Sequence, residues 1–306
     1  MIQFPASRLM FGAMTSAAAL ALSLWVNPTL AQDPFRATNQ HQIGDKTEAA
    51  FIALFKDGNY TKAESYLQQA QSSEPNEPLV YALDACLAYT NKKDVNSLKS
   101  YSKKTLETAQ QLIATDPLRG NLYVAVGHFL QGAAAVASEG NLQGTPQALS
   151  ELRQVYEYLD KAEAVSPNDP ELNLVRGYMD LLLSVSLPFS SPEQAIARLE
   201  KYASPRYLAY RGLALGYRDL GQYPKALESI DQAIKATPDN PELFYLKAQI
   251  LVKQGDSQKN PALFREALKN FDEAIKPHKQ AQLPDSLSKQ IERERRKTAQ
   301  RLDSSS

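Results

Sequence analysis

The chain has 306 residues, with 34 Lys and Arg against 34 Asp and Glu, so its formal net charge is zero when histidine is neutral. This balance, without a strongly basic face, argues against nucleic acid as a partner. The single cysteine, Cys86, cannot form an internal disulfide, and a chain of this length can instead be stabilised by a hydrophobic core.

The first 31 residues have the pattern of a secretory signal peptide. Arg8 is an early cation, an apolar stretch follows from Leu9 to Val26, and small residues precede a cleavage site after Ala31. The alternative is an uncleaved anchor, because this stretch lies at the short end of what spans a bilayer, but Pro28 favours cleavage. We expect an exported protein without a stable membrane anchor, beginning with a flexible segment over residues 32–44.

The most informative pattern lies at residues 207–240. Two sets of three residues each fall on one face of a predicted helix: Leu213, Ala214 and Tyr217 in the first helix, and Ala226, Ile230 and Ala233 in the second. Gly221 is suited to end the first helix in the left-handed conformation, and Pro224 fits the first turn of the second. A single hairpin of this length is marginally stable in water, so its apolar face needs a neighbour.

Apolar helical patterns, most of them ending near a proline, predict further hairpins along the chain. They cover residues 45–73 with a turn at 58–60, residues 77–115 with a turn near 91–94, residues 118–166 with a longer turn at 139–145, and residues 169–203. The last of these contains an apolar stretch at 181–187, interpreted as a buried helix end. Asp169-Pro170-Glu171 and Asn240-Pro241-Glu242 predict helix starts, in which the first residue caps the helix and the glutamate complements the helix dipole.

The hairpin that follows residues 207–240 covers residues 241–276. It is predicted to have a lengthened turn at 256–263, after Gly255. A charged helix at residues 284–302 resembles the polar end that a solenoid requires. Its Glu292 and Arg296 have the i, i+4 spacing of an exposed supporting ion pair.

The order of Tyr210, Leu213, Ala214, Tyr217, Gly221, Ala226, Ile230, Ala233 and Pro238 resembles the tetratricopeptide (TPR) repeat. The resemblance implies an all-α fold: a right-handed superhelical solenoid of about six TPR-like hairpins over residues 45–303, closed by the C-terminal capping helix. The whole chain is similar to an uncharacterised group of exported TPR proteins from photosynthetic bacteria. This similarity implies the periplasm or the thylakoid lumen.

TPR architecture implies that certain first-helix residues line a concave groove that binds a protein or peptide. Five of these are taken as the candidate groove: Arg211, Leu215, Arg218, Tyr245 and Gln249. The pattern departs from that of TPR domains that clamp chaperone tails, because Leu208 and Gly212 stand where Lys and Asn are needed. For the two arginines and the tyrosine, pairing within the chain is an equally open interpretation.

Signs of catalysis and of metal binding are absent from the sequence. The three histidines, His41, His128 and His278, lack the close spacing of metal ligands, and no nucleotide-binding or hydrolase motif occurs. His128 is interpreted as a packing residue, with a position in the groove as the alternative. Cys86 is expected to be a buried and inert thiol.

These observations predict a non-enzymatic scaffold or adaptor without a cofactor or metal, binding another protein or peptide outside the cytoplasm. One alternative is a helical module that belongs to, or docks with, a cell-wall-acting enzyme. Another is a carrier of a small apolar ligand, using the region at 181–187.

Overall fold

A computed structural model describes residues 33–139, 146–184, 192–279 and 281–304, which lie within one compact unit, Gln32–Ser306. The predicted signal peptide and the turn at 140–145 lie outside the described residues. The described helices are α1 (Asp45–Phe51, continued by a π-helical turn at Ile52–Lys56), α2 (Tyr60–Ser73), α3 (Pro78–Lys92), α4 (Val95–Leu112), α5 (Pro117–Glu139), α6 (Pro146–Val165), α7 (Pro170–Ser184), α8 (Pro192–Lys201), α9 (Arg206–Asp219), α10 (Tyr223–Ala236), α11 (Pro241–Gln258), α12 (Pro261–Ile275) and α13 (Asp285–Ser304).

Successive helices pack as neighbouring pairs, so the prediction of an all-α TPR-like solenoid is confirmed. Within the described ranges, β-structure is limited to one isolated bridge between Asn59 and Gln282. None of the helices in those ranges is both long and apolar enough to cross a membrane.

Small side chains allow the close approach of helices in the clear repeat, which the structure forms from α9 and α10. Ala214, Ala226 and Ala233 are fully buried, and Tyr217 packs with them in the core. Gly221 ends the first helix with φ at 71°, as expected, and the second helix begins at the Tyr223-Pro224 pair. The residues that share a helix face in the sequence pattern are therefore the ones buried between the two helices.

The predicted long turn of the following hairpin is wrong. Helix α11 continues through residues 256–258, and only Lys259 and Asn260 separate it from α12. Gly255 does not end the helix; it is buried, and an added Cβ there would lie 2.8 Å from the Phe264 ring. The additional residues extend the helix because Lys259 supplies a left-handed end at φ 50° and the Asn260 side chain caps the next helix.

The residues before α1 are packed against the helices, whereas a flexible segment was expected at 32–44. Residues 33–44, here called the N-terminal strap, have no helix but bury Asp33, Phe35, Arg36 and Ile43. The Phe35 ring lies edge-on to Phe51, with their centroids 4.9 Å apart. The strap is held by aromatic packing and by charged partners that lie far along the chain, which a local pattern does not show.

The two ends of the solenoid meet. The Tyr60 hydroxyl donates to Glu242 Oε1 at 3.0 Å, and Asn240 Nδ2 donates to the carbonyl of Phe55 at 3.0 Å. The backbone N–H of Tyr60 donates to the Gln282 carbonyl at 3.1 Å. The first hairpin therefore closes against the start of α11 and the loop before α13.

Candidate functional site

Two of the five predicted groove residues, Arg211 and Leu215, make contacts within the chain itself. Arg211 Nη2 donates to Glu242 Oε2 at 2.8 Å, and Glu242 also accepts from Tyr60. Burial would lower the pKa of Arg211, but the Glu242 carboxylate more than offsets this and holds the pKa above its ordinary value. Leu215 is half-buried and packs against the main hydrophobic core. This pair therefore contributes to packing and closure.

The C-terminal helix brings the other three predicted residues together. Glu294 of α13 accepts a hydrogen bond from the Tyr245 hydroxyl at 2.8 Å through Oε1 and from Gln249 Nε2 at 3.0 Å through Oε2. Arg218 Nη1 donates to Gln249 Oε1 at 3.4 Å, and its Nε donates to Asp219 at 2.9 Å. The intramolecular pairing that the sequence left open for Arg218 and Tyr245 is therefore present.

These residues border a cavity of about 450 Å³, here called the C-terminal cleft, between α9, α11, α12 and α13. Its lining consists of Arg218, Gln249, Val252, Lys253, Phe271, Glu294, Lys297, Thr298 and Arg301. Four of these side chains are cationic and one is a carboxylate, while the apolar members are the half-buried Val252 and the almost fully buried Phe271. Arg218 and Gln249 are the two predicted groove residues that line it.

The cations of the cleft differ in how fully they are paired. Lys253 Nζ contacts Asp219 at 3.1 Å, and Arg301 contacts Asp256 at 2.6 Å. Lys297 is exposed and forms no ion pair within the described ranges. Exposed pairs of this kind contribute little to stability, so their cations can exchange one carboxylate for another at small cost. The cleft therefore suits recognition of an acidic group beside an apolar one.

The sequence did not indicate a second charged cluster, which is buried and structural. It consists of Asp33, Arg36, Glu77, Arg119, Tyr123, Asp169 and Glu171. Arg36 reaches Asp169 at 2.7 Å and Glu171 at 3.0 Å, and Arg119 reaches Glu77 at 2.8 Å. Burial would lower the pKa of Arg36, but the surrounding carboxylates raise it above its ordinary value. This network joins the strap to the starts of three helices.

The acids of this network begin helices, as Asp169-Pro170-Glu171 predicts. Asp169 Oδ1 accepts from the backbone N–H of Leu172 at 2.9 Å, so its capping role is confirmed. Glu171 was expected only as a dipole partner at the helix start, and the structure shows in addition that its side chain is fully buried. The sequence did signal these helix starts, because an acid follows proline at several of them, but it gave no indication of the residue that pairs with Glu171.

Cys86 is not buried as expected, since its side chain is reached by solvent. The surrounding protein still displaces much of the water, and this desolvation raises the pKa of the thiol to about 11. The thiol is therefore protonated at neutral pH and a weak nucleophile. Two of the three histidines have partners within the chain: His41 contacts Asp116, and His278 Nε2 lies 2.9 Å from the Glu273 carbonyl.

Comparison with known proteins agrees with the TPR resemblance. The TPR repeat-containing protein YpiA of Bacillus subtilis (strain 168) is 26% identical over 230 residues, covering 68% of this chain and 51% of the relative. The chain thus spans about half the length of that protein. A family model described as "N-terminal acetyltransferase A, auxiliary subunit" matches residues 28–275, which is most of the chain. The chain belongs to the family of N-terminal acetyltransferase A auxiliary subunits.

Proposed function

We propose that the protein is a non-catalytic scaffold that binds a partner protein or peptide in the C-terminal cleft. The observation that carries the proposal is the composition of the cleft, in which four cations lie near the half-buried Val252. Interfaces gain most of their energy from a few anchors of this kind, and complementary charge selects the partner.

The cleft favours a partner segment in which acidic residues stand next to an apolar residue. Lys297 and Lys253 are exposed at its edge, and the half-buried Val252 is the apolar side chain that a partner residue would contact. Because Arg211 and Leu215 are used for closure, the binding surface is smaller than the five-residue groove expected from the sequence.

A second candidate, a module that docks beside an enzyme, is favoured by the family description, which names an auxiliary subunit of an acetyltransferase. In this case the partner in the cleft would be the enzyme itself. A cell-wall-acting enzyme is one form of this proposal if the protein is exported. Export rests on the predicted signal peptide, and N-terminal sequencing of the protein from fractionated cells tests it: a mature start at Gln32 in the envelope fraction is expected.

The binding proposal is tested by affinity capture with three forms of the protein. Lys297→Glu reverses an exposed charge at the cleft, and Lys235→Glu reverses an exposed charge on α10, outside it. The wild type and Lys235→Glu are expected to recover the same partner, whereas Lys297→Glu is expected to recover about tenfold less. Quantitative mass spectrometry of the captured proteins provides the measurement.

Equal recovery with both charge reversals would show that the cleft does not bind the partner. Recovery of an enzyme as the cleft-dependent protein would favour the second candidate. The helical content of both variants, measured by circular dichroism, separates loss of binding from loss of folding.

A further inference from the structure

An apolar cavity lies in the middle of the solenoid, well separated in sequence from the C-terminal cleft. It has a volume of about 520 Å³ and lies between α5, α6 and α7, with Tyr89 of α3 at its edge. The space stays open because four of the residues that line it are small: Gly132, Ala133, Ala137 and Ala148. Ligand-binding cavities in proteins have volumes of roughly 300–1,000 Å³ and are mostly apolar with few polar groups.

The cavity contains one polar pair. His128 Nδ1 lies 2.6 Å from Glu151 Oε2, and both residues line the cavity, with only 14% and 15% of their side chains exposed. Tyr158 stacks against the imidazole at a centroid distance of 5.8 Å and holds its plane. The position of the ring is therefore fixed from two sides.

This arrangement leaves one atom of the histidine for a further hydrogen bond. The Glu151 carboxylate favours a proton on Nδ1, and Nε2 has no hydrogen-bond partner within the described ranges. Neutral imidazole would accept a hydrogen bond at Nε2, whereas imidazolium would donate one. A hydroxyl group satisfies both states, because it donates and accepts.

The wall of the cavity also presents apolar surface that is not covered by any residue in the described ranges. The Leu182 side chain is 60% exposed at the cavity, next to the buried Leu183. An exposed leucine alone needs no explanation, but here it adjoins a cavity with a fixed hydrogen-bonding group.

From these observations we propose a second binding site: the cavity between α5, α6 and α7 binds a small apolar molecule that carries one hydroxyl group, with His128 Nε2 as its hydrogen-bond partner. The site is independent of partner binding in the C-terminal cleft. The sequence analysis gave a carrier of a small apolar ligand, using residues 181–187, as an alternative. The proposed site includes part of that region, of which residues 181–184 are described.

Titration of the full chain with 2-naphthol and with naphthalene tests the proposal, using 2-naphthol fluorescence and competition by naphthalene. The wild type is expected to bind 2-naphthol about tenfold more tightly than naphthalene, which is the effect of one buried hydrogen bond. His128→Phe is expected to remove this preference. The ¹⁵N chemical shift of His128 Nε2 is expected to change when 2-naphthol is added, without a matching change at Nδ1.

A cavity-filling variant keeps the test decisive if His128→Phe does not fold. Ala133 is exposed and lines the cavity, so Ala133→Trp can fill the space without disturbing the core, and Ala262→Trp on α12 is the matched control. Ala133→Trp is expected to lose binding of both probes, while Ala262→Trp binds as the wild type does. Absence of 2-naphthol binding to the wild type, equal affinity for the two probes, or unchanged binding by Ala133→Trp would each overturn the proposal.

Discussion

Burial changes the acid–base behaviour of one carboxylate on α3. Desolvation raises the pKa of Asp84 from its ordinary value of 3.8 to about 6, although the hydrogen bond from Gln71 Nε2 at 2.7 Å acts in the opposite direction. The folded state therefore binds a proton more tightly than the unfolded state does. Stability is expected to fall as the pH rises from about 4 to about 6, because the buried group must then ionise.

Asp84→Asn tests this residue directly. Asparagine keeps an acceptor for Gln71 but cannot ionise, so the variant is expected to be more stable than the wild type at pH 7 and equal to it near pH 4. Urea unfolding at a series of pH values measures the difference. Parallel stability curves for the two proteins across this range would contradict the assigned pKa shift.

Single residues also show what sequence reasoning could and could not predict. Asp169-Pro170-Glu171 correctly predicts a helix start, because capping depends on atoms within a few residues. Burial of Glu171 depends on Arg36, 135 positions earlier in the chain. A local pattern does not contain contacts over that distance, so the sequence predicted the helix start but not the burial of the acid. The same limitation applies to Arg211, whose partner Glu242 belongs to the next hairpin.

At the scale of elements, the N-terminal strap contributes more than its lack of helix suggests. Arg36 contacts three carboxylates: Asp33 within the strap, and Asp169 and Glu171 at the distant start of α7. Removal of one partner from a buried ion network is costly, because it leaves the remaining charges in a medium that solvates them poorly. The strap therefore stabilises the starts of the central helices.

Arg36→Met is expected to lower the free energy of unfolding by about 3 kcal/mol, since methionine keeps much of the apolar stem but leaves the carboxylates without their cation. Arg265→Met, on an exposed face of α12, is the control and is expected to stay within about 0.5 kcal/mol of the wild type. Chemical denaturation measures both. Similar stabilities for the two variants would show that the network contributes no net stability.

Helix positions were predicted most accurately where local signals agree. Pro170 and Pro241 each begin a helix, and the first turn ends at Tyr60, as expected. The turn predicted at 256–263 was wrong because Gly255 has two possible roles. It was interpreted as a helix end, whereas it serves as a contact for Phe264 within a longer helix. Only the packed neighbour distinguishes these roles.

At the scale of the whole molecule, the solenoid is closed by contacts between its first and last hairpins. The sequence predicted stacked hairpins, because each repeat has an apolar face that needs a neighbour. It did not predict closure, since Tyr60 and Glu242 are 182 positions apart. Closure covers part of the expected groove and leaves the C-terminal cleft as the accessible part of it.

The central claim is that this cleft is the surface that binds a partner protein. Site-specific photocrosslinking in the cells that make the protein tests it most directly, with a benzoylphenylalanine residue in place of Lys253 at the cleft or in place of Lys235 on α10. The account predicts a discrete crosslinked product containing a second protein from the Lys253 position and none from the Lys235 position. Crosslinks of equal yield from both positions, or none from Lys253, would contradict it.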